Sequence, residues 1–229
     1  MQAIILAAGR GTRMGDTPDS APKPMLRLRH KPILDYKIRY LPDNIDEVVL
    51  VVGHKRSVIQ KYFGNSFGGR RITYVVQEEL NGSAGALRAA RSVLRDSFLV
   101  LMGDDLYLKT DLEQMTRHTL AIMGMKINTP VRFAVIDVNE HGTFVSVREK
   151  SEAHAGSIIN TGAYMISRNF FDYEMISVGN GEYGLPQTLA TMTHDHEIAL
   201  VFATRWRSIT TPDDMAHAET LVPVFYPEG

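Results

Sequence analysis

Four short apolar runs in the first half of the chain constrain its fold more than anything else. They occupy residues 3–8, 48–52, 72–76 and 98–102. Each is rich in Ile, Val or Leu and does not alternate with polar residues, the pattern of a strand buried on both faces of a parallel sheet. Stretches that read as helices lie between them, at 33–41, 56–63 and 84–94. This alternation predicts an α/β fold with a doubly wound, mostly parallel sheet. Asn81-Gly82-Ser83 leads into the third helix, with Ser83 where an N-cap is preferred. A further helix is expected over 111–123, with Met115, Met123 and Met125 read as core where it packs. Residues 131–138, 143–147 and 158–166 then read as strands, with Asn139-Glu140-His141-Gly142 as a hairpin turn. They add antiparallel strands on one side. Helices over 170–177 and 185–193, a strand over 198–203 and a helix from Pro212 complete the pattern. No repeat, linker or biased segment divides the chain, so 1–229 reads as a single domain.

Composition narrows the function. The length of 229 residues suits one large domain, and 44% hydrophobic with 22% charged residues is ordinary for a soluble globule. A net charge of −1 leaves no global basic field for nucleic acid. No apolar run approaches the roughly 18 residues of a membrane span. The absence of cysteine excludes a disulfide scaffold, thiol catalysis and cysteine-ligated zinc or iron–sulfur sites. The short apolar start has no basic segment before it, so it does not read as a signal peptide. A cytoplasmic enzyme is the leading expectation, without nucleic-acid or membrane partners. Homo-oligomerisation is left open.

The first run ends in Gly9-Arg10-Gly11-Thr12-Arg13-Met14-Gly15. Ligands in such sheets bind beyond the carboxyl ends of the strands, and a glycine loop there lets backbone N–H groups approach a phosphate. The glycine spacing is neither the dinucleotide fingerprint nor a Walker loop. A plain tight turn and an anion site are both compatible with it, and Arg10 and Arg13 favour the anion. Pro22-Lys23-Pro24 follows, holding a lysine in restricted backbone as either a solvated side chain or a fixed cation facing the loop.

Together, LAAGRGTRM over 6–14 and PKPML over 22–26 resemble the signature of nucleotidyltransferases that activate sugar 1-phosphates, such as glucose-1-phosphate uridylyl- and thymidylyltransferases. The resemblance runs on through KPILDY at 31–36, VVGH at 51–54, Gln77 with Gly82-Ser83-Ala84, GDD at 103–105, REK at 148–150, NTGAY at 160–164 and TRWRSITTPDDM at 204–215. It covers nearly the whole chain, and the first signature is its most specific part. A Rossmann-like nucleotidyltransferase fold is implied, with a nucleotide-binding half over about 1–125 and a sugar-phosphate half over about 126–229.

The implied reaction joins a sugar 1-phosphate to the α-phosphorus of a nucleoside triphosphate and releases pyrophosphate. The nucleophile is already an anion, so positioning and charge neutralisation carry catalysis. On the resemblance, Arg13, Lys23 and Asp104 are the catalytic residues. The nucleotide would lie on Leu6, Ala8, Gly9, Gly11, Thr12, Arg13, Gln77, Gly82 and Ser83, and the sugar phosphate on Glu149, Lys150, Asn160, Thr161 and Gly162. The implied cofactor is Mg2+, held by Asp104 and by a second aspartate in W-x-D-x-G-T-P. Here that second position is Ser208, so Asp105 is the alternative carboxylate. The Gln77 amide offers donor and acceptor to a uracil or thymine imide, which favours UTP or dTTP. Phe133-Ala134 stands roughly where relatives place an aromatic residue and a glycine, which leaves the sugar unread. No hexapeptide-repeat segment follows the last helix, so a fused acetyltransferase is not expected.

Thr211-Pro212-Asp213-Asp214 reads as a helix cap rather than a ligand set, His194-Asp195-His196-Glu197 as a solvated loop, and Trp206 as a packing residue. Three other functions stay open. They are a nucleotide-sugar binding or regulatory protein that has lost catalysis, a cytidylyltransferase for a phosphate such as phosphocholine, and a glycosyltransferase with a similar fold.

Overall fold

The computed structural model describes residues 1–9, 21–128, 131–148 and 152–227. In chain order its regular elements begin with β1 (Gln2–Ala7), β2 (Arg27–Leu28), β3 (Lys31–Pro32), α1 (Ile33–Arg39), β4 (Glu47–Val52) and α2 (Arg56–Phe63). There follow β5 (Ser66–Phe67), β6 (Arg70–Val76), α3 (Gly82–Ala89), β7 (Ser97–Met102), β8 (Asp105–Tyr107), α4 (Lys109–Met115) and β9 (Ala121–Lys126). The remainder comprises β10 (Val131–Arg132), β11 (Val135–Val138), β12 (Phe144–Arg148), β13 (Glu152–Ala153), β14 (Ile158–Ser167), β15 (Ser177–Gly179), β16 (Glu182–Tyr183), α5 (Leu185–Thr191), β17 (Ala199–Phe202), β18 (Trp206–Ser208) and α6 (Pro212–Phe225).

The four apolar runs form the parallel centre of the main sheet: β7, β1, β4 and β6 lie side by side in that order. β14 pairs antiparallel with β7 and also with β9 and β11, while β12 forms one edge beyond β11 and β17 pairs parallel with β9. The sheet is thus mixed and mostly parallel in its first half, with antiparallel strands added on one side.

Period-two alternation explains why helices cover both faces. Ile5, Leu50 and Leu99 point to a layer holding Leu34 and Ile38 of α1, Ile59 of α2 and Leu112 of α4. Ile4, Val49 and Val100 point to the other layer, with Leu87 of α3 and Leu189 of α5. A third apolar cluster fixes α6 against α1 through Val222, Phe225, Ile33 and Tyr36.

Three expectations are corrected. The helix expected over 111–123 stops at Met115, and Ala121–Lys126 is strand β9, so Met123 and Met125 are strand residues. A short apolar run containing Gly124 reads alike as helix or strand, and pairing with β14 decides it. The segment 170–177 forms only a 3-10 turn, Arg168–Asp172, before β15. α3 begins at Gly82 with Asn81 as N-cap, and the Ser83 hydroxyl accepts from the Leu185 backbone N–H at 3.0 Å instead of capping.

Candidate active site

The carboxyl ends of β1, β6 and β7 open into two adjoining cavities. One, of about 430 Å3, is lined by Leu6, Gly9, Lys23, Asp104, Phe133 and Ser208 among others. The other, of about 390 Å3, is lined by Leu6, Ala8, Gly9, Gln77, Gly82 and Ser83 among others. Leu6, Gly9 and Met102 belong to both. Of the described sequence-derived residues, Leu6, Gly9, Lys23, Asp104, Asp105 and Ser208 line the first cavity and Leu6, Ala8, Gly9, Gln77, Gly82 and Ser83 the second, whereas Asn160, Thr161 and Gly162 line neither. Gly11, Thr12, Arg13, Glu149 and Lys150 lie outside the described residues, as does Arg10.

Lys23 opens a 3-10 turn, Lys23–Met25, flanked by Pro22 and Pro24 and closed by the Met25 N–H to Pro22 carbonyl bond at 2.7 Å. Its ammonium is ion-paired with the Asp104 carboxylate. The Asp104 side chain is 32% exposed and that of Lys23 12%, so Asp104 is the group of the pair more open to the cavity. Asp104 is held by a tight turn, in which Gly103 donates to the Leu6 carbonyl at 3.0 Å. A Cβ at Gly103 would stand 2.8 Å from that oxygen, which is why the turn takes glycine.

Asp105 lines the same cavity but is buried. It pairs across the β8–β18 ladder with Ser208. Burial, and then the neighbouring Asp104 charge, pushes its carboxyl up to about 7, against opposing contributions from Lys37, Ser208 and Trp206. Lys37 is its buried counterpart: desolvation lowers its ammonium to about 8, although Asp105 and Asp104 favour the charged form. The Lys37 Nζ donates to the Asp105 backbone carbonyl. The Tyr107 hydroxyl donates to the Thr161 carbonyl at 2.8 Å, joining β8 to β14.

Across the second cavity, Gln77 is buried and its Nε2 donates to the Asn81 Oδ1 at 3.1 Å and the Gly82 carbonyl at 3.2 Å. Gly82 sits at φ +90°, and a Cβ there would stand 2.4 Å from the Tyr183 carbonyl oxygen. Tyr183 in turn donates its N–H to Asn81 at 2.9 Å, so the β15–β16 hairpin is locked onto the Gln77–Gly82 loop.

On β14 the register shifts between Asn160 and Tyr164. Within that bulge the Asn160 Oδ1 accepts from the Gly162 N–H at 3.0 Å, and its Nδ2 donates to the Tyr164 hydroxyl at 2.8 Å. The Thr161 hydroxyl donates to the Met123 carbonyl at 2.9 Å, which directs it into the scaffold. A Cβ at Gly162 would lie 3.4 Å from Asp105 Oδ2, so the bulge adjoins the carboxylate pair. Phe133 meets Trp206 edge-on with ring centroids 5.2 Å apart, and Trp206 packs as expected.

Thr211 caps α6 in a capping box with Asp214, which also accepts from Arg207 at 2.8 Å. Two buried charged residues that brace the chain beside the site escaped the sequence reading. Asp111, buried on α4, accepts from the Thr204 and Arg205 N–H groups at 2.8 and 3.2 Å and so steers the chain into β18. Lys37 is buried on α1 beside Leu34 and Ile38, a charge among apolar residues that a stricter periodicity test would have flagged.

Around the larger cavity stand one open carboxylate, one buried carboxyl, and the Ser208 and Thr210 hydroxyls, which lie 3.3 Å from each other. A hard dication takes one or two carboxylates with water or phosphate oxygens, and this donor set meets the lower limit.

A doubly wound sheet with a fixed cation and an open carboxylate at its carboxyl edge is the architecture of Rossmann-like nucleotide-handling proteins. The chain belongs to the nucleotidyl transferase family, whose model matches residues 2–223. It is 28% identical over 221 residues to the bifunctional protein GlmU of Methanocaldococcus jannaschii, a match covering 95% of this chain and 53% of that protein. The chain spans about half the length of the GlmU relatives it matches. Against the D-glycero-alpha-D-manno-heptose 1-phosphate guanylyltransferase of Aneurinibacillus thermoaerophilus it is 34% identical over 187 residues, 77% of this chain and 79% of the relative. Against the UTP–glucose-1-phosphate uridylyltransferase AglF of Haloferax volcanii it is 28% identical over 231 residues, 96% of this chain and 95% of the relative. Among the described residues no helix is long and apolar enough to cross a membrane.

Proposed function

We propose that this chain transfers a nucleoside monophosphate from a nucleoside triphosphate to a sugar 1-phosphate. A phosphate oxygen of the sugar forms a bond to the α-phosphorus, the bond from that phosphorus to the bridging oxygen breaks, and pyrophosphate leaves. The Lys23–Asp104 pair carries this reading: a cation and an open carboxylate stand beside the first strand's end, which both cavities share. Two polyanions must meet there, and Lys23 would exchange its carboxylate partner for phosphate oxygens as they arrive. Arg13 and Lys150 would share the neutralisation, and Glu149 would accept from sugar hydroxyls. Leu6, Ala8, Gly9, Gly11, Thr12, Gln77, Gly82 and Ser83 would seat the nucleotide over the half up to about 125. Asn160, Thr161 and Gly162 would position the sugar over the other half. Mg2+ held by Asp104, with Asp105 and Ser208 beside it, would supply further charge neutralisation.

The base assignment is UTP or dTTP, because the Gln77 amide matches the donor–acceptor edge of an imide. AglF is named for UTP and the heptose enzymes for guanylyl transfer, so the choice of triphosphate is the sharpest test. Pyrophosphate release is measured with each triphosphate and a panel of sugar 1-phosphates and phosphocholine, at varied magnesium. Turnover with UTP or dTTP is expected, and preference for GTP would overturn the pyrimidine assignment. Ser208→Asp adds a carboxylate across from Asp105 and should lower the magnesium concentration for half-maximal rate. An inactive parent rescued by Ser208→Asp would instead favour a nucleotide-sugar binding role.

A further inference from the structure

Lys37 is a buried ammonium that the proposed reaction leaves unused. It sits on α1 among the buried Ile33, Leu34 and Ile38 and is 3% exposed. Its Nζ donates to the Asp105 carbonyl and lies 4.6 Å from the centroid of the Tyr107 ring. Both contacts are to β8, the strand that continues directly from Asp104. Burying a charge is costly unless it is paired and hydrogen-bonded, and methionine would fill the same volume at a lower desolvation cost.

The turn that presents Asp104 is held at three points. Gly103 bonds to the Leu6 carbonyl at 3.0 Å, Asp105 pairs with Ser208, and the Asp105 carbonyl receives Lys37 from beneath. On the cavity side Asp104 has Lys23, which arriving phosphates would compete for. Lys37 cannot leave in the same way, because it is enclosed by α1 and β8.

We infer that Lys37 is a positioning residue, whose ammonium pins the Asp104–Asp105 turn so that Asp104 keeps its aim when Lys23 turns to a phosphate. This rests on the proposed nucleotidyl transfer, and the experiment separates the two. Lys37→Met is compared with wild type for pyrophosphate release, using the triphosphate and sugar 1-phosphate that wild type accepts best. Triphosphate binding without sugar phosphate is measured by calorimetry. We expect kcat per folded molecule to fall about 10-fold or more, since small misplacements of reacting groups are costly. KM and Kd for the triphosphate should stay within about threefold, because the Gln77 side of the site is untouched. Lys37→Gln, which keeps a donor, should recover part of the loss. A role confined to stability would lower the melting temperature and leave kcat per folded molecule unchanged. If Lys37→Met does not fold, Lys37→Met/Asp105→Asn is compared with Asp105→Asn alone, with the same fall in kcat expected. A kcat within twofold of the matched reference overturns the inference. A wild type silent with every triphosphate overturns the reaction first and this inference with it.

Discussion

A lysine between two prolines spends little conformational freedom to stand still, and the structure uses Lys23 in that way. Its partner Asp104 follows a strand end and a glycine, so both were legible from the chain. Lys23→Ala should lower kcat by about 10²-fold, the range for removing a preorganised charge contact. Circular dichroism should be unchanged, because the residue belongs to a short turn and not to a core layer. Stopped-assay pyrophosphate release checks it, and turnover within a few-fold of wild type would sink the assignment. The pairings of Lys37 and Asp111 were not legible, because their partners are distant in sequence. Lys37 reaches a carbonyl 68 residues on, and Asp111 reaches amides 93 and 94 residues on. Local pattern carries no information about such pairings.

At the level of elements, β4 and α2 closely match expectation because their apolar patterns are bounded by polar residues or glycine. β9 was misread because its partners on β14 come from another part of the chain. The β15–β16 hairpin was also missed, having three residues on one strand and two on the other. Yet it shapes the Gln77 cavity by closing on Gly82. Gly82→Ala would place a methyl 2.4 Å from the Tyr183 oxygen in backbone that disfavours a side chain. The hairpin must then move away. We expect the triphosphate KM to rise at least several-fold while KM for the sugar 1-phosphate changes less. Equal changes in both would mean that the hairpin does not shape the nucleotide cavity.

On the scale of the whole molecule, the sheet has a working end and an anchoring end. At the anchoring end Glu47 is buried and accepts from Gln2 at 3.0 Å, Thr73 at 2.8 Å, Arg71 at 2.9 Å and Arg95 at 2.6 Å. Burial pushes its carboxyl up, but the hydrogen bonds from Thr73, Arg71 and Gln2 outweigh this and hold it below the ordinary carboxylate range. A folded-state value below the unfolded one contributes stability at pH above the unfolded value of 4.5, and that contribution is lost as pH falls through the folded value. Glu47→Gln should therefore cost about 1.5–3 kcal/mol at pH 7, the range for hydrogen bonds to a charged group. The difference in melting temperature from wild type should shrink on acidification towards pH 3, while kcat at pH 7 stays unchanged. A constant difference across that range would show that the charge is not the stabilising element.

β14 is bonded to β7 across five residue pairs and to β11 further along the same edge, with β9 on its opposite edge. The strands that would seat the nucleotide and those that would seat the sugar are therefore woven into one fabric, with no seam to fold along. A protein made this way has no pair of jaws. It cannot clasp its reactants by swinging one lobe onto the other without tearing its own backbone ladder. Under the proposed transfer, the spacing between a nucleotide on one set of strands and a sugar phosphate on the other would be set by that continuous ladder.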